Sequence, residues 1–271
     1  MVNYCFICVL YSKSPKESQT ILSLSENNPI KNESTYFFWD NSAHGFKNEL
    51  KSIFPNDNVS YFHNGKNTPL SKIYNTVIRE INAGIYIILD DDSSFDEEYF
   101  LSLINFKHSD YQVCCPKIYH NNILISPGYI KGVRGYTLHE KELSHASENL
   151  CIASMMSGTA IKKDIFEKIK FDERLNFYGI DTKFYIDCNA INIKILILDY
   201  QLIHDSALRK TDDINQHIDR LKKLFFSKRI VFENKKLHKI RIAIYLLLLT
   251  INQCIKRKNI KYLTLLPYIF K

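Results

Sequence analysis

Short apolar runs alternate with helical patterns over residues 4–205, and this alternation constrains the fold more than any other feature. The runs at 4–11, 36–39, 85–89 and 193–198 have the length of strands, whereas residues 69–83 carry apolar side chains at helical spacing after Pro69. Strands that alternate with helices are typical of an α/β sheet rather than a sandwich or a bundle. The pattern therefore predicts an α/β domain over residues 1–206.

The remainder of the chain, residues 207–271, is basic and helical in pattern. An uncharged run at 242–255 is about 14 residues long, shorter than the roughly 20 residues that a bilayer-spanning helix needs. Basic residues flank it on both sides: Lys235, Lys236, Lys239, Arg241, Lys256, Arg257, Lys258 and Lys261. Two interpretations stay open. The tail is either an amphipathic segment on an anionic membrane surface or a helical hairpin that covers the core.

The charge and the cysteines limit the classes of partner and the compartment. A net charge of +7 favours anionic partners, but the sequence contains no recognition motif for nucleic acid, so we expect none. The seven cysteines lie mostly in apolar segments without the spacing of a disulfide framework. The chain also begins with an apolar strand rather than a basic leader. We therefore expect a cytoplasmic protein, with a peripheral position on the inner face of the cell membrane if the tail binds lipid.

Three consecutive carboxylates, Asp90, Asp91 and Asp92, follow the apolar strand at 85–89. Their negative charges repel one another unless a cation joins them, and hard oxygen ligands suit Mg²⁺ or Mn²⁺. Such a metal neutralises a diphosphate and stabilises it as a leaving group. The alternative is a solvated acidic turn that caps the next helix through Ser93 or Ser94.

Several segments stand in a fixed order along residues 4–206. They are the strand that ends at Tyr11, Trp39-Asp40-Asn41-Ser42, the segment 67–75, Leu89-Asp90-Asp91-Asp92, Ser157-Gly158-Thr159 followed by Phe171-Asp172-Glu173, Tyr178-Gly179-Ile180-Asp181, and His204-Asp205-Ser206. No single one is specific. Together they resemble the family 2 glycosyltransferases of the GT-A fold, a Rossmann-like mixed sheet, especially those of bacterial O-antigen and capsule assembly.

The resemblance implies a site for a nucleotide-sugar donor, a UDP- or dTDP-sugar. Asp40 would accept a hydrogen bond from the nucleobase, and Asp90 would reach the ribose or the metal region. Tyr11, Asn67, Lys72 and Asp91 are further candidate donor contacts. Asp40 has an alternative role in an ordinary turn, because Asp-Asn-Ser is a common turn sequence. Lys72 has the alternative of a surface position, which is the common one for lysine.

The resemblance also implies a metal site and a catalytic base. Asp92 would bind Mn²⁺ or Mg²⁺ directly, and His204 would complete the shell, unless these residues only cap a helix and make a local hydrogen bond. Asp181 would remove the proton of the acceptor hydroxyl. In the family an acidic pair is usual at this position, but Ile180 precedes Asp181 here, and a helix N-cap is the alternative role.

The function that this resemblance implies is inverting transfer of a sugar to an acceptor hydroxyl, on a lipid-linked saccharide or a growing bacterial surface polysaccharide. A metal-dependent nucleotidyltransferase is the first alternative. It usually carries a glycine-rich, basic phosphate loop after the first strand, whereas Tyr11-Ser12-Lys13-Ser14-Pro15 stands there. The second alternative is a non-catalytic carbohydrate-binding protein on a decayed transferase fold, in which the acidic site is idle.

Overall fold

A computed structural model describes residues 2–26, 28–55, 58–139, 150–203, 213–235 and 237–270. Strands and helices alternate in its first part, as the apolar pattern predicts. These elements are β1 (Val2–Leu10), α1 (Gln19–Glu26), β2 (Ser34–Asp40), α2 (Lys47–Ile53), β3 (Val59–His63), α3 (Leu70–Glu80), β4 (Ala83–Leu89) and α4 (Glu97–Lys107).

Short strands dominate the middle of the chain, and two long helices follow the last strand. These elements are β5 (Val113–His120), β6 (Ile123–Ser126), β7 (Gly128–Lys131), β8 (Arg134–Thr137), β9 (Ile152–Ala153), β10 (Thr159–Lys162), α5 (Ile180–Ala190), β11 (Ile195–Ile203), α6 (Ile214–Val231) and α7 (His238–Lys256). Short 3₁₀ helices span Pro15–Glu17, Lys31–Glu33, Lys163–Glu167 and Ile260–Tyr268.

The main sheet of the described residues is mixed. Its strand order is β11-β5-β10-β4-β1-β2-β3, with β6 antiparallel to β5. β1 pairs in parallel with both β2 and β4, whereas β10 runs antiparallel between β4 and β5. Leu10 is paired with Asp40, and Cys8 with Leu89, so β1, β2 and β4 end at the same edge. This edge gathers the polar segments that follow the three strands, and the α/β prediction is confirmed.

A smaller antiparallel sheet lies beside the main one, in the order β8-β7-β9. Gly128 of β7 is paired with Thr137 of β8 on one side and with Ala153 of β9 on the other. Ile130 is paired with Gly135. Because directly paired residues of neighbouring strands point to the same face, these five residues share one face of the small sheet.

The predicted strand at 193–198 is longer in the structure and begins later. β11 pairs with β5 over two stretches, Ile195–Ile197 and Gln201–Ile203, with a register shift between them. After the register shift the strand resumes its pairing and ends at Ile203, beyond the predicted end at residue 198. His204, Asp205 and Ser206, which follow it, lie outside the described residues.

The C-terminal helices pack on the domain that precedes them. Phe225 of α6 and Leu246 of α7 are fully buried and belong to the same apolar cluster as Ile73 of α3 and Phe184 of α5. The inner face of these helices therefore covers the core, as the hairpin interpretation predicts.

The outer face of the same C-terminal segment is apolar and exposed. Its exposed large side chains are Ile240, Ile244, Leu247, Leu248, Ile251, Ile255, Ile260, Leu263, Leu266 and Phe270. Within the described ranges, none of the helices has the length and apolar character that crossing a bilayer requires.

The adjacent phenylalanines of α6 test whether this helix is part of the core. Phe225 is 0% exposed and Phe226 is 59% exposed. Phe225→Ala should lower the free energy of unfolding by about 3–5 kcal/mol, because it removes buried apolar surface and leaves a cavity. Phe226→Ala, the matched control, should change it by less than about 0.5 kcal/mol. Equal effects of the two substitutions in urea unfolding would contradict the packing of α6 on the domain.

Candidate active site

The acidic turn at the end of β4 is held by hydroxyl groups from distant segments. The Oγ1 of Thr20 donates to the carbonyl oxygen of Asp90 at 2.5 Å, and the Oγ of Ser18 donates to that of Asp91 at 2.6 Å. The backbone N–H of Asp90 donates to the Oγ of Ser157 at 3.3 Å. These bonds fix the backbone of the turn and leave the carboxylates to repel one another.

Burial and this repulsion raise the pKa values of Asp90 and Asp91. The pKa of Asp90 rises to about 7, first because of burial and then because of the charges of Asp92, Asp91 and Asp181. The pKa of Asp91 is also raised by burial and by Asp92, although the backbone N–H of Tyr11, 3.4 Å from its Oδ2, acts in the opposite direction. The structure thus brings Asp181 into electrostatic range of the acidic turn. A cation bound here would relieve the repulsion.

The described residues contain no group of three His, Cys, Asp or Glu side chains arranged to hold a metal ion. His204, the predicted second ligand, lies outside them. Magnesium is commonly held by only one or two carboxylates, with substrate phosphates and water completing the shell. The carboxylates of the turn therefore fit Mg²⁺ or Mn²⁺ as a site that a diphosphate completes.

Asp40 is fully buried at the end of β2. Its Oδ1 accepts the backbone N–H of Ser42 at 2.9 Å. Its Oδ2 accepts the backbone N–H of Phe46 at 3.1 Å and the hydroxyl of Tyr61 at 2.7 Å. This is the turn geometry of the alternative interpretation, and because Asp40 is fully buried, a direct contact with a nucleobase requires the turn to open. The nucleobase contact stays a prediction.

The loop before α3 is tied to the same edge through Asn41. Its side-chain N–H donates to the Oδ1 of Asn67 at 3.2 Å and to the carbonyl oxygen of Thr68 at 2.9 Å, and its Oδ1 accepts the backbone N–H of Thr68 at 3.0 Å. Asn67 is therefore brought to the carboxyl edge of the sheet. Tyr11 and Lys72 are exposed, at the end of β1 and on the first turn of α3.

Asn75 has a structural role that its spacing from Lys72 does not predict. Its Oδ1 accepts the backbone N–H of Phe171 at 3.0 Å, and its N–H group donates to the carbonyl oxygen of Phe171 at 2.9 Å and to Glu173 at 3.0 Å. Its amide fastens α3 to the segment before α5.

Asp181 lies in the first turn of α5. The helix begins at Ile180, and Gly179 occupies the cap position, so Asp181 is not the N-cap that the alternative role assumes. Its Oδ1 accepts the backbone N–H of Thr182 at 2.7 Å. Burial raises the pKa of this carboxyl, and the hydrogen bonds from Thr182 oppose the rise.

Glycine is required at position 179. Its φ of +84° lies in the left-handed region, and a Cβ there would lie 2.8 Å from the Cγ2 of Val231 on α6. The backbone that leads into the turn of Asp181 thus passes directly against the C-terminal helix.

Three further residues contribute to the site without any signal in the sequence. Thr20 and Ser18 reach the acidic turn from 70 and 73 positions away along the chain. Tyr74 is buried on α3, where burial and then the charges of Asp90 and Asp181 raise its pKa. Its place in an apolar helical stripe predicts only a core residue, because nothing local indicates which carboxylates it approaches.

Residues 9–197 match the family model described as glycosyl transferase family 2. This match covers more than half of the chain. The chain therefore belongs to glycosyltransferase family 2, and it is a glycosyltransferase. No curated protein sequence matches it significantly.

Solved structures share the fold at low identity. GalNAc-T7, with UDP, GalNAc and Mn²⁺, is 14% identical with a TM-score of 0.61 and covers 86% of this chain, which spans 48% of that one. The mannosyltransferase PcManGT from Pyrobaculum calidifontis, in complex with GDP-Man and Mn²⁺, is 11% identical with a TM-score of 0.58. The similarity covers 98% of this chain and 84% of that one. S. aureus TarS 1-349, in complex with UDP-GlcNAc, is 13% identical with a TM-score of 0.55. The similarity covers 83% of this chain and 66% of that one. These similarities confirm the GT-A fold with C-terminal helices.

Proposed function

We propose that this glycosyltransferase moves a sugar from a nucleotide-diphosphate sugar to an acceptor hydroxyl with inversion at the anomeric carbon. The proposal rests on one observation: Asp181 lies near the acidic turn. The charge of Asp181 contributes to the raised pKa of Asp90. A carboxylate pair or triplet on one side suits a metal and a diphosphate, and a separate carboxylate suits a base. UDP- or dTDP-sugars are the proposed donors, and nucleotide sugars bound to similar folds support this class.

In this proposal the donor lies along the carboxyl edge of β1, β2 and β4. Asp92, with His204, holds Mn²⁺ or Mg²⁺, which when bound neutralises the charge that develops on the departing diphosphate. Asp90 and Asp91 face the ribose and the metal region. Tyr11, Asn67 and Lys72 supply further donor contacts from the ends of β1 and α3, and Asp40 reads the base once its turn opens.

Asp181 is the proposed base. The backbone N–H of Thr182 holds its Oδ1, and the proposed proton acceptor is the other oxygen, Oδ2. The attacking hydroxyl passes its proton to this Oδ2 as its oxygen bonds to the anomeric carbon. The bond from that carbon to the diphosphate oxygen breaks in the same displacement, which accounts for inversion. Burial supports this role, because a raised pKa makes a carboxylate a better proton acceptor.

The proposed acceptor is a lipid-linked saccharide or a growing bacterial surface polysaccharide at the inner face of the cell membrane. The exposed apolar face of α7 and the following 3₁₀ helix supports this location. Basic residues stand at both ends of that face: Lys239, Arg241, Lys256, Arg257, Lys258 and Lys261. An apolar face with cationic ends fits an anionic lipid surface.

One assay distinguishes the proposed transferase from the two alternative functions, a nucleotidyltransferase and a non-catalytic carbohydrate-binding protein. A nucleotidyltransferase would release pyrophosphate from a nucleoside triphosphate and a sugar phosphate. A non-catalytic carbohydrate-binding protein would consume neither substrate. Release of nucleoside diphosphate from a panel of UDP-, dTDP- and GDP-sugars, with manganese present, supports the transferase proposal and contradicts both alternatives.

Asp92→Ala should abolish metal-dependent turnover of the nucleotide sugar, because Asp92 is the proposed direct ligand. The substitution should leave the melting temperature of the metal-free protein nearly unchanged. Manganese with UDP should raise the melting temperature of the wild type but not of Asp92→Ala. Asp110→Ala, which removes an exposed carboxylate away from the site, is the control. If EDTA leaves wild-type turnover unchanged, the metal proposal is wrong.

Asp181→Asn should lower turnover by about 10²–10⁴-fold, because an amide cannot accept the proton of the acceptor. The affinity for UDP in calorimetric titration should stay the same. The control is Asp187→Asn, which removes a carboxylate paired with Lys183 on the same helix and should keep turnover. Retained turnover in Asp181→Asn would remove Asp181 from the mechanism and direct the search to Asp172 or Glu173, and to Asp187 only if the control variant itself loses turnover.

The same variant has a predicted effect on stability that depends on pH. Burial raises the pKa of Asp181 in the folded protein, so the unfolded chain releases this proton at lower pH. Above the unfolded value of about 3.9, the buried charge therefore destabilises the fold increasingly as the pH rises. Asp181→Asn should melt above the wild type at pH 7, and the difference should shrink as the pH falls toward 3.9. If the melting temperatures of the variant and the wild type differ by the same amount at every pH in this range, the raised pKa of Asp181 is contradicted.

Binding to anionic vesicles tests the membrane proposal. Removal of the tail is unsuitable, because Leu246 and Tyr262 are fully buried in the core. Ile244 and Leu248 are 55% and 61% exposed on α7, so Ile244→Glu with Leu248→Glu should leave the fold intact. The double variant should lose sedimentation with phosphatidylglycerol vesicles, and high salt should weaken the binding of the wild type. Ile123→Glu, at a 60% exposed site on β6, should bind normally. Absence of wild-type binding would contradict the proposal.

A further inference from the structure

A cleft of about 520 Å³ opens at the amino end of β1 and β4, on the edge of the main sheet opposite to the acidic turn. Its lining residues define the amino-edge cleft: Asn3, Gly84, Ile85, Lys107, Lys162, Lys163, Asp164 and Glu167. Ile85 lies five positions before Asp90, which is about 16 Å along an extended strand. The amino-edge cleft is therefore separate from the proposed donor site at the other edge.

The strand register explains why three lysines line this cleft. Ile85 of β4 is paired with Tyr4 of β1 on one side and with Lys162 of β10 on the other, so the three side chains share a face of the sheet. Lys107, the last residue of α4, places its Nζ 5.5 Å from the centre of the Tyr4 ring. Lys163 directly follows Lys162. Cationic groups from α4, from β10 and from the 3₁₀ helix after it therefore surround one space.

Two of these lysines are held by uncharged partners. The Nζ of Lys162 donates to the carbonyl oxygen of Ser109 at 2.6 Å, and the Nζ of Lys163 donates to the Oδ1 of Asn82 at 2.8 Å. Neither partner neutralises the positive charge. Because an ammonium group has three N–H donors, each lysine can still donate to a ligand while its position stays fixed.

The third lysine has a charged partner that it can exchange. The Nζ of Lys107 lies 3.3 Å from Glu33, whose side chain is 51% exposed, and the side-chain N–H of Asn3 donates to the same carboxylate. An exposed ion pair of this kind contributes little to stability. A doubly charged anion in the cleft can therefore compete with Glu33 for Lys107.

The two carboxylates of the cleft, Asp164 and Glu167, indicate what else the ligand carries. They repel an anion, but they accept hydrogen bonds from hydroxyl groups. A combination of ammonium groups and carboxylates suits a molecule with a phosphate at one end and hydroxyl groups at the other. Pockets for small molecules usually have about 300–1,000 Å³, so the volume of the cleft is sufficient for such a molecule.

We propose that the amino-edge cleft is a second ligand site, which binds the phosphate monoester of a sugar or polyol. Lys107, Lys162 and Lys163 hold the phosphate through charge-assisted hydrogen bonds, and Asp164 and Glu167 accept bonds from the hydroxyl groups. This site goes beyond the proposed function, because neither the donor nor the acceptor of sugar transfer is assigned to it. A free sugar phosphate and a phosphorylated polyol headgroup of a lipid share this chemistry.

Calorimetric titration of the full chain with glucose 1-phosphate, in the presence of EDTA, tests the lysines. Lys107→Gln with Lys163→Gln should weaken binding by about tenfold or more, because two charge-assisted bonds are lost. The matched control is Lys168→Gln with Lys170→Gln, which removes the same charge from exposed positions that do not line the cleft. The control should bind as the wild type does. Equal affinities of the two double variants overturn the assignment.

Competition with UDP separates this site from the donor site. UDP with magnesium fills the proposed donor site, and binding of glucose 1-phosphate to the cleft should stay unchanged. Displacement of glucose 1-phosphate by UDP places it at the donor site and overturns the proposal. Turnover of nucleotide sugar should also be the same in both double lysine variants as in the wild type. Failure of UDP to bind contradicts the proposed function and leaves the titration of the cleft as a separate result.

The role of the carboxylates has its own measurement. Asp164→Ala with Glu167→Ala should lower the preference for glucose 1-phosphate over inorganic phosphate by about two- to tenfold, because only the sugar offers hydroxyl groups. An unchanged preference contradicts the assignment of these two residues.

Vesicles that contain phosphatidylinositol 4-phosphate distinguish the two sources of the ligand. They are used with the Ile244→Glu, Leu248→Glu protein, so that the apolar face of α7 does not contribute. Binding of glucose 1-phosphate alone identifies a soluble ligand. Binding of the vesicles alone, lost with Lys107→Gln and Lys163→Gln but kept in the control, identifies a lipid headgroup. Binding of neither probe overturns the site.

Discussion

Electrostatic repulsion at the end of β4 is the constraint on which the site depends. A strand buried at the centre of the sheet leads directly into three carboxylates, and the pKa of the first rises to about 7. The backbone of this turn cannot relax, because Thr20, Ser18 and Ser157 hold it through hydrogen bonds. The fold thus maintains a concentration of negative charge that a divalent cation and a diphosphate can neutralise together.

Those parts of the fold and the site that are encoded by neighbouring residues could be predicted from the sequence. The alternation of apolar runs and helical stripes predicts β1, β4 and α3, and the acidic triplet at the end of a strand predicts the turn. Asp181 in the first turn of a helix is also evident from local pattern. These features depend on residues within a few positions, so one sequence is sufficient to find them.

The partners of individual side chains could not be predicted, because they come from distant parts of the chain. Asp40 stands in a motif typical of donor binding, yet Tyr61 and the backbone of Phe46 already occupy its Oδ2. Asn75 lies on the predicted helix at 69–83, but its partner Phe171 is 96 positions away along the chain. The tail is similar: its apolar run is compatible with packing or with lipid, and the structure buries Leu246 while exposing Leu248 on the same helix.

The contact between Gly179 and Val231 links the site to the end of the chain. A methyl group at Gly179 would clash with Val231 of α6. The position of the Asp181 carboxylate therefore depends on a helix that the family match at 9–197 does not include. A chimera that joined this family domain to the tail of a relative would place a different side chain against Gly179 and would shift the segment that carries Asp181. The position of Asp181 in the domain therefore depends on the tail that packs against it.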